Sequence, residues 1–160
     1  RLTSPSDLKD ITPVVAGKLQ GWDEDQKTKD DARILTIADF KARQIASASA
    51  ALLWSPDETK FINGEDIKGK KVYDLVMNKV YDLPQAATYY WLPDSKHIIL
   101  ITEGKVAISE FDGSNVAVIY AGKFEDSFVF PWPDSSKLVV LTSFNTPTAS
   151  TPNLFGINLK

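Results

Sequence analysis

Apolar residues fall in short, evenly spaced runs along this chain, and the spacing repeats. Three segments align. They are Leu52-Leu53-Trp54-Ser55-Pro56-Asp57-Glu58-Thr59-Lys60-Phe61-Ile62, Tyr89-Tyr90-Trp91-Leu92-Pro93-Asp94-Ser95-Lys96-His97-Ile98-Ile99 and Val129-Phe130-Pro131-Trp132-Pro133-Asp134-Ser135-Ser136-Lys137-Leu138-Val139. Each reads as an apolar strand, a Pro-Asp turn, a basic residue and a second apolar strand. Pro presets φ at the second turn position, and Asp beside it can bond its own backbone. The Pro-Asp pairs recur after 37 and then 40 residues. β-Branched and aromatic residues dominate these windows and Pro interrupts them, which argues against helices.

Further strands come after each pair. Third strands are predicted over 72–75, 106–111 and 154–159, ending in Asp74-Leu75, Glu110-Phe111 and Asn158-Leu159. Short fourth strands are predicted over 79–83 and 116–121, with Met77-Asn78 and Asp112-Gly113-Ser114-Asn115 as turns. An earlier copy is anchored by Lys18-Leu19, matching Lys60-Phe61. Its third strand spans 34–40 and ends in Asp39-Phe40, and its fourth spans 43–46. Val14-Val15-Ala16-Gly17 stands in place of its Pro-Asp turn.

Units of about 40 residues with four short strands predict an all-β chain, a β-propeller of about four blades or a fragment of a larger propeller. The units fall at 5–47, 48–85, 86–122 and 123–160 plus 1–4. An evenly spaced β-sandwich is the alternative, and the matching Pro-Asp turns favour the repeat. The first strands, 51–54, 88–91 and 128–130, are expected to line the axis. Helix beyond a single turn is not expected. Arg1-Leu2-Thr3-Ser4 is similar to Arg43-Gln44-Ile45-Ala46-Ser47, and is expected to pair with 154–159 and close the ring. Pairing of two four-bladed chains about a twofold axis is a further arrangement. The chain opens on Arg1 rather than Met, which reads as a piece of something longer.

Charge and composition narrow the function. Eighteen Lys and Arg against 21 Asp and Glu give a net charge of −3, which argues against a nucleic-acid partner. With no cysteine there is no disulfide, thiolate nucleophile or Cys-bound metal. No apolar run approaches the roughly 18–20 residues of a membrane span, so this segment is not expected to insert directly into a membrane.

Enzyme chemistry finds no constellation. His97, the only histidine, aligns with Lys60 and Lys137 at a solvated turn position. No Gly-x-Ser-x-Gly is present. Leu52, Leu53, Tyr89, Tyr90, Phe128 and Val129 fill the inner strands, where propeller glycosidases carry carboxylates. Glu125 and Asp126 read as a loop. The acidic run 23–31 lacks the Gly and terminal Glu of an EF-hand, and Lys27 and Lys29 offset its charge, so it reads as a solvated loop. No catalytic residue, metal or cofactor is therefore expected. Trp54 and Trp91 share a repeat position and read as core or inter-blade packing, while Trp132, between two prolines, reads as partly exposed.

Binding is expected where connections are longest. The second-to-third-strand connections of the first and last units exceed the others by about seven residues. They hold 23–31 and 144–152, which a closed ring would bring side by side on one face. The candidate binding residues are Trp22, Asp23, Asp25, Asn145 and Thr146. Their carboxylates, hydroxyl and amide suit a polar partner, a peptide segment or a glycan.

Trp54-Ser55-Pro56-Asp57, Trp91-Leu92-Pro93-Asp94 and Phe111-Asp112-Gly113-Ser114-Asn115 resemble TolB-like propeller repeats. The pattern is also similar to propeller segments of bacterial surface proteins that carry PEGA domains. Glu58, Ser95 and Ser135 stand where such repeats often place Gly after Pro-Asp. The resemblance implies a non-catalytic binding or assembly module of a bacterial cell-envelope protein, extracytoplasmic or at the cell surface. The alternative is an accessory propeller domain of a larger hydrolase whose catalytic domain is absent from this chain.

Overall fold

The computed structural model describes residues 12–49, 51–63, 69–125, 128–143 and 152–159. Helix α1 spans Thr12–Thr36 and α2 spans Phe40–Ala48. Strands β1 (Leu52–Trp54), β2 (Lys60–Asn63), β3 (Lys71–Asp74) and β4 (Lys79–Asp82) form a first sheet. Strands β5 (Thr88–Trp91), β6 (His97–Thr102), β7 (Lys105–Glu110) and β8 (Ala117–Ala121) form a second. Strands β9 (Val129–Pro131), β10 (Lys137–Thr142) and β11 (Asn153–Asn158) form a third. Every ladder among the described residues is antiparallel and joins strands adjacent in sequence. The register repeats as well, since Leu53 faces Ile62, Tyr90 faces Ile99 and Phe130 faces Val139.

The Pro-Asp turn is one structure built three times. Backbone N–H groups of Glu58, Ser95 and Ser135 donate to the carbonyls of Ser55, Leu92 and Trp132 at 2.8, 3.0 and 2.9 Å. The carboxylates of Asp57, Asp94 and Asp134 accept the N–H two residues on, from Thr59, Lys96 and Ser136, at 3.1, 2.9 and 2.9 Å. Glu58, Ser95 and Ser135 are left-handed, with φ of 59°, 58° and 59°. A side chain there costs about 1 kcal/mol relative to Gly. Ser95 offsets that cost, because its Oγ accepts the backbone N–H of Asp57 at 3.0 Å and ties the second sheet to the first.

The sheets stack face to face in chain order. Leu53, Ile62 and Val72 of the first meet Tyr89, Trp91 and Ile98 of the second in one core. The opposite face of the second, with Tyr90, Ile99 and Val106, meets Val129, Leu138 and Val140 of the third. The Trp91 indole donates to the Leu53 carbonyl at 2.9 Å, which confirms inter-sheet packing for that residue. Tyr81 meets Phe111 edge-on at 5.6 Å. Beside them, a Cβ on Gly113 (φ 82°) would collide with the Asp82 carbonyl, so two backbones touch where only Gly fits.

Residues 12–48 depart from expectation. The strands expected over 34–40 and 43–46 do not form, and the all-β reading gives way to a mostly β chain with two helices. Pro13 stands in the first turn of α1, where its missing N–H is no loss. Along α1, Gln20 donates to Glu24 (3.1 Å), Gln26 to Asp30 (2.9 Å) and Lys27 to Asp31 (3.0 Å). These four-residue spacings support a helix and offer nothing to a strand. Asp39 caps α2, accepting the Ala42 N–H at 2.6 Å, and an Ala-, Gln- and Arg-rich stretch propagates it. Ile37, Ala42 and Ala46 then pack on Phe61 and Tyr73, covering the outer face of the first sheet. The proposed ring-closing strand Leu2–Ser4 lies outside the described residues.

Candidate functional site

A groove of about 520 Å³ opens between α1 and the first strands of two sheets, β1 and β5. Asp30 and Arg33 line it from the helix, Trp54 and Glu58 from the first sheet, and Tyr90 and Trp91 from the second. Its polar centre is an ion triad. Arg33 Nη1 donates to Asp30 Oδ1 at 3.1 Å, and Nη2 donates to Glu58 Oε1. The guanidinium also stands 5.9 Å from the Trp54 ring centroid. The hydrogen bond to Glu58 is the chief cause holding Arg33 above its ordinary pKa, with Asp30 adding to it against partial desolvation. The helix end and the first Pro-Asp turn are thereby joined through charge. Two carboxylates against one guanidinium leave this mouth net negative.

Beneath Arg33, Trp54 packs on Phe61 at 5.4 Å. Its Nε1 is buried and has no hydrogen-bond partner among the described residues. Trp91, one repeat on, donates to the preceding sheet. Trp54 holds the same place with helices before it instead of a sheet, which explains the orphaned donor.

Three of the residues expected to bind stand on a helix rather than on a loop. Trp22, Asp23 and Asp25 belong to α1, so the solvated loop over 23–31 is corrected to helix. Trp22 is 65% exposed. Asp23 lines a broad cleft of about 890 Å³ between α1 and α2, with Lys27, Asp31, Ile34 and Ser47; Trp22 and Asp25 do not line it. Asn145 and Thr146 lie outside the described residues. Trp132 is half exposed, as expected. No group of three or more metal-ligating side chains occurs among the described residues.

His97 sits in its own turn, with Nδ1 2.6 Å from Asp94 Oδ2. Lys60 makes the matching contact in the first sheet, with Nζ 3.5 Å from Asp57 Oδ2. The pair is therefore a repeated turn brace. Partial burial opposes the charged form of Asp57, but bonds from Ser55 and Thr59 and the charge of Lys60 prevail, holding its carboxyl at about 2. Asp94 is lowered by the same balance, with desolvation outweighed by bonds from Lys96 and His97.

Sequence reading misses Asp30, Arg33 and Glu58. Glu58 carries a signal, since it alone puts an acid at the left-handed position where the other two turns have Ser. No helix among the described residues is long and apolar enough to cross a membrane. No family model matches the chain, and no curated protein matches it.

Proposed function

We propose that the chain is a non-catalytic binding or assembly module made of propeller blades, and that the groove between α1, β1 and β5 receives an extended, cationic peptide segment. The observation that carries this reading is the groove's composition. Aromatic faces on Trp54 and Tyr90 flank a net-negative triad of Asp30, Arg33 and Glu58. Both β1 and β5 are sheet-edge strands, so part of their backbone is free of strand partners and can bond an extended chain. Aromatic surfaces attract cations and the carboxylates attract them further. Three face-to-face sheets with equivalent registers support the propeller reading. The resemblance of the Pro-Asp turns to TolB-like repeats supports a bacterial cell-envelope setting.

Display of random peptides against the pure chain tests this. Selected sequences are expected to be Lys- or Arg-rich, and Glu58→Gln and Asp30→Asn should each weaken their binding about tenfold. Lys123→Ala, away from the groove, should leave it unchanged. Selected peptides indifferent to both groove variants would overturn the reading. So would turnover of glycosides or peptides by pure protein that one substitution abolishes.

A further inference from the structure

The repeat assigns every sheet the same two faces. The face bearing Leu53 and Ile62 in the first sheet is covered by the second, and the equivalent Tyr90 and Ile99 of the second are covered by the third. The equivalent residues of the third are Phe130 and Val139. No described element covers them. Register places Phe130, Val139 and Gly156 in one row across the strands, and Leu141 and Leu154 in the next, with Phe128 bonded beside Leu141. Phe128 and Phe130 meet edge-on at 6.1 Å, which puts both rings on this face. Phe130 is 48% and Leu154 65% exposed.

We propose that this face is a dimer interface, taking the same face of a second copy of the chain. Three observations choose that occupant. First, the two preceding copies of this face are each buried under a sheet, so it is a face built for cover of that kind. Second, the other end of the stack is closed by α1 and α2, so among the described residues each chain offers one bare sheet face. A single bare face meets its own copy and stops at two, whereas two bare ends would give an open polymer. Third, the charges complement themselves. The two central rows carry no charge, while Lys137 stands at one end of the strands and Glu125 beside Leu141 at the other. A twofold axis crossing the strands brings Lys137 of each copy over Glu125 of its mate.

The face is small. Three strands spaced about 4.8 Å apart, over five residues at about 3.4 Å each, make a patch of a few hundred Å², below the roughly 800 Å² per partner of a standard interface. The dimer is therefore expected to be weak, with a Kd of order 10 µM.

Sedimentation of the full chain between about 1 and 300 µM decides the matter. The mass should rise from 17.7 kDa toward twice that value across this range. Phe130→Lys and Leu154→Lys should each weaken association at least tenfold, with circular dichroism and melting at 1 µM unchanged. Lys137→Glu should weaken it severalfold, and Lys137→Glu with Glu125→Lys should restore it. This pair keeps the test open if either lysine variant misfolds, because both positions are exposed. A monomer throughout overturns the proposal, including a monomer whose third sheet is shielded by another part of the chain. So does a dimer indifferent to Phe130 and Leu154, or a charge swap that fails to restore a weakened one.

Discussion

At one end of the stack, Phe61 and Tyr73 lie 4.8 Å apart, ring on ring, beneath Ala42 and Ala46 of α2. At the other, Phe130 and Leu154 face outward. The two surfaces come from the same repeated unit, and differ in what the chain supplies as a neighbour. A four-stranded antiparallel sheet with two apolar faces is not finished by its own hydrogen bonds; something must lie on each side. Here a helix pair does for the first sheet what sheets do for one another in the interior.

The largest contrast should appear on truncating an aromatic at each end. Phe61 is fully buried, so Phe61→Ala should cost about 3–5 kcal/mol in urea unfolding. Phe130→Ala, measured dilute, should stay within about 0.5 kcal/mol. A comparable loss at both ends would mean that the third sheet is covered as well as the first.

A finer contrast uses the two tryptophans. Trp91→Phe removes a donor from a satisfied bond and strands the Leu53 carbonyl, whereas Trp54→Phe removes a buried donor that has no partner. Both lose similar ring volume. Trp91→Phe should therefore be worse by about 1–2 kcal/mol in the same assay.

Next come the left-handed serines. Ser135→Gly relieves a strained backbone and should raise stability by about 0.5–1 kcal/mol, a few degrees in Tm. Ser95→Gly gains the same relief but loses the bond to Asp57, and should come out neutral or worse. Equal gains at both would show that the inter-sheet bond contributes nothing.

The smallest effect is set by pH. With its carboxyl held at about 2 against an ordinary 3.8, Asp57 stabilises the folded chain above pH 4. That contribution fades as pH falls from about 4 to 2. Its side chain is 42% exposed, so solvent screening limits it to about 0.5 kcal/mol. Asp57→Asn should flatten this part of the stability profile, and an unchanged acid limb would remove Asp57 as its source.

The two ends of the stack also differ in how far sequence foretells them. Strands from 52 to 158 are legible because Pro-Asp turns recur with their flanking apolar runs, and turn chemistry is local. The helices are misread through two short anchors. Asp39-Phe40 aligns with Asp74-Leu75, and both aspartates do bind backbone N–H groups just ahead. Asp74 accepts from Val76 and Met77 at 2.9 Å each and turns the chain back as a hairpin. Asp39 accepts from Ala42 and starts a helix. The residues immediately downstream decide the outcome: Val76-Met77-Asn78-Lys79, with Asn78 left-handed at φ 50°, or Lys41-Ala42-Arg43-Gln44. The groove is legible only through Glu58, the one acid at a left-handed Pro-Asp turn position. Asp30, Arg33 and Glu58 are 3 and 25 residues apart, and the packing of Ile34, Ile37 and α2 around Phe61 and Tyr73 brings α1 over the first turn.

Every ladder among the described residues joins neighbours in sequence, and that local wiring governs how the chain comes into being. Hairpins form in about 1–10 µs, while synthesis adds about 5–20 residues each second. A sheet of roughly 40 residues thus takes seconds to emerge and microseconds to pair, so each can fold before the next appears. The two helices leave the ribosome before the sheet they cover. Ile37 and Ala46 find their seat only when Phe61 and Tyr73 arrive, and from that moment growth proceeds in one direction, sheet upon sheet. Each newly exposed face is the template for its successor. Amide exchange should then follow cover, with the third sheet, held on one side among the described residues, opening before the first and second, each held on both.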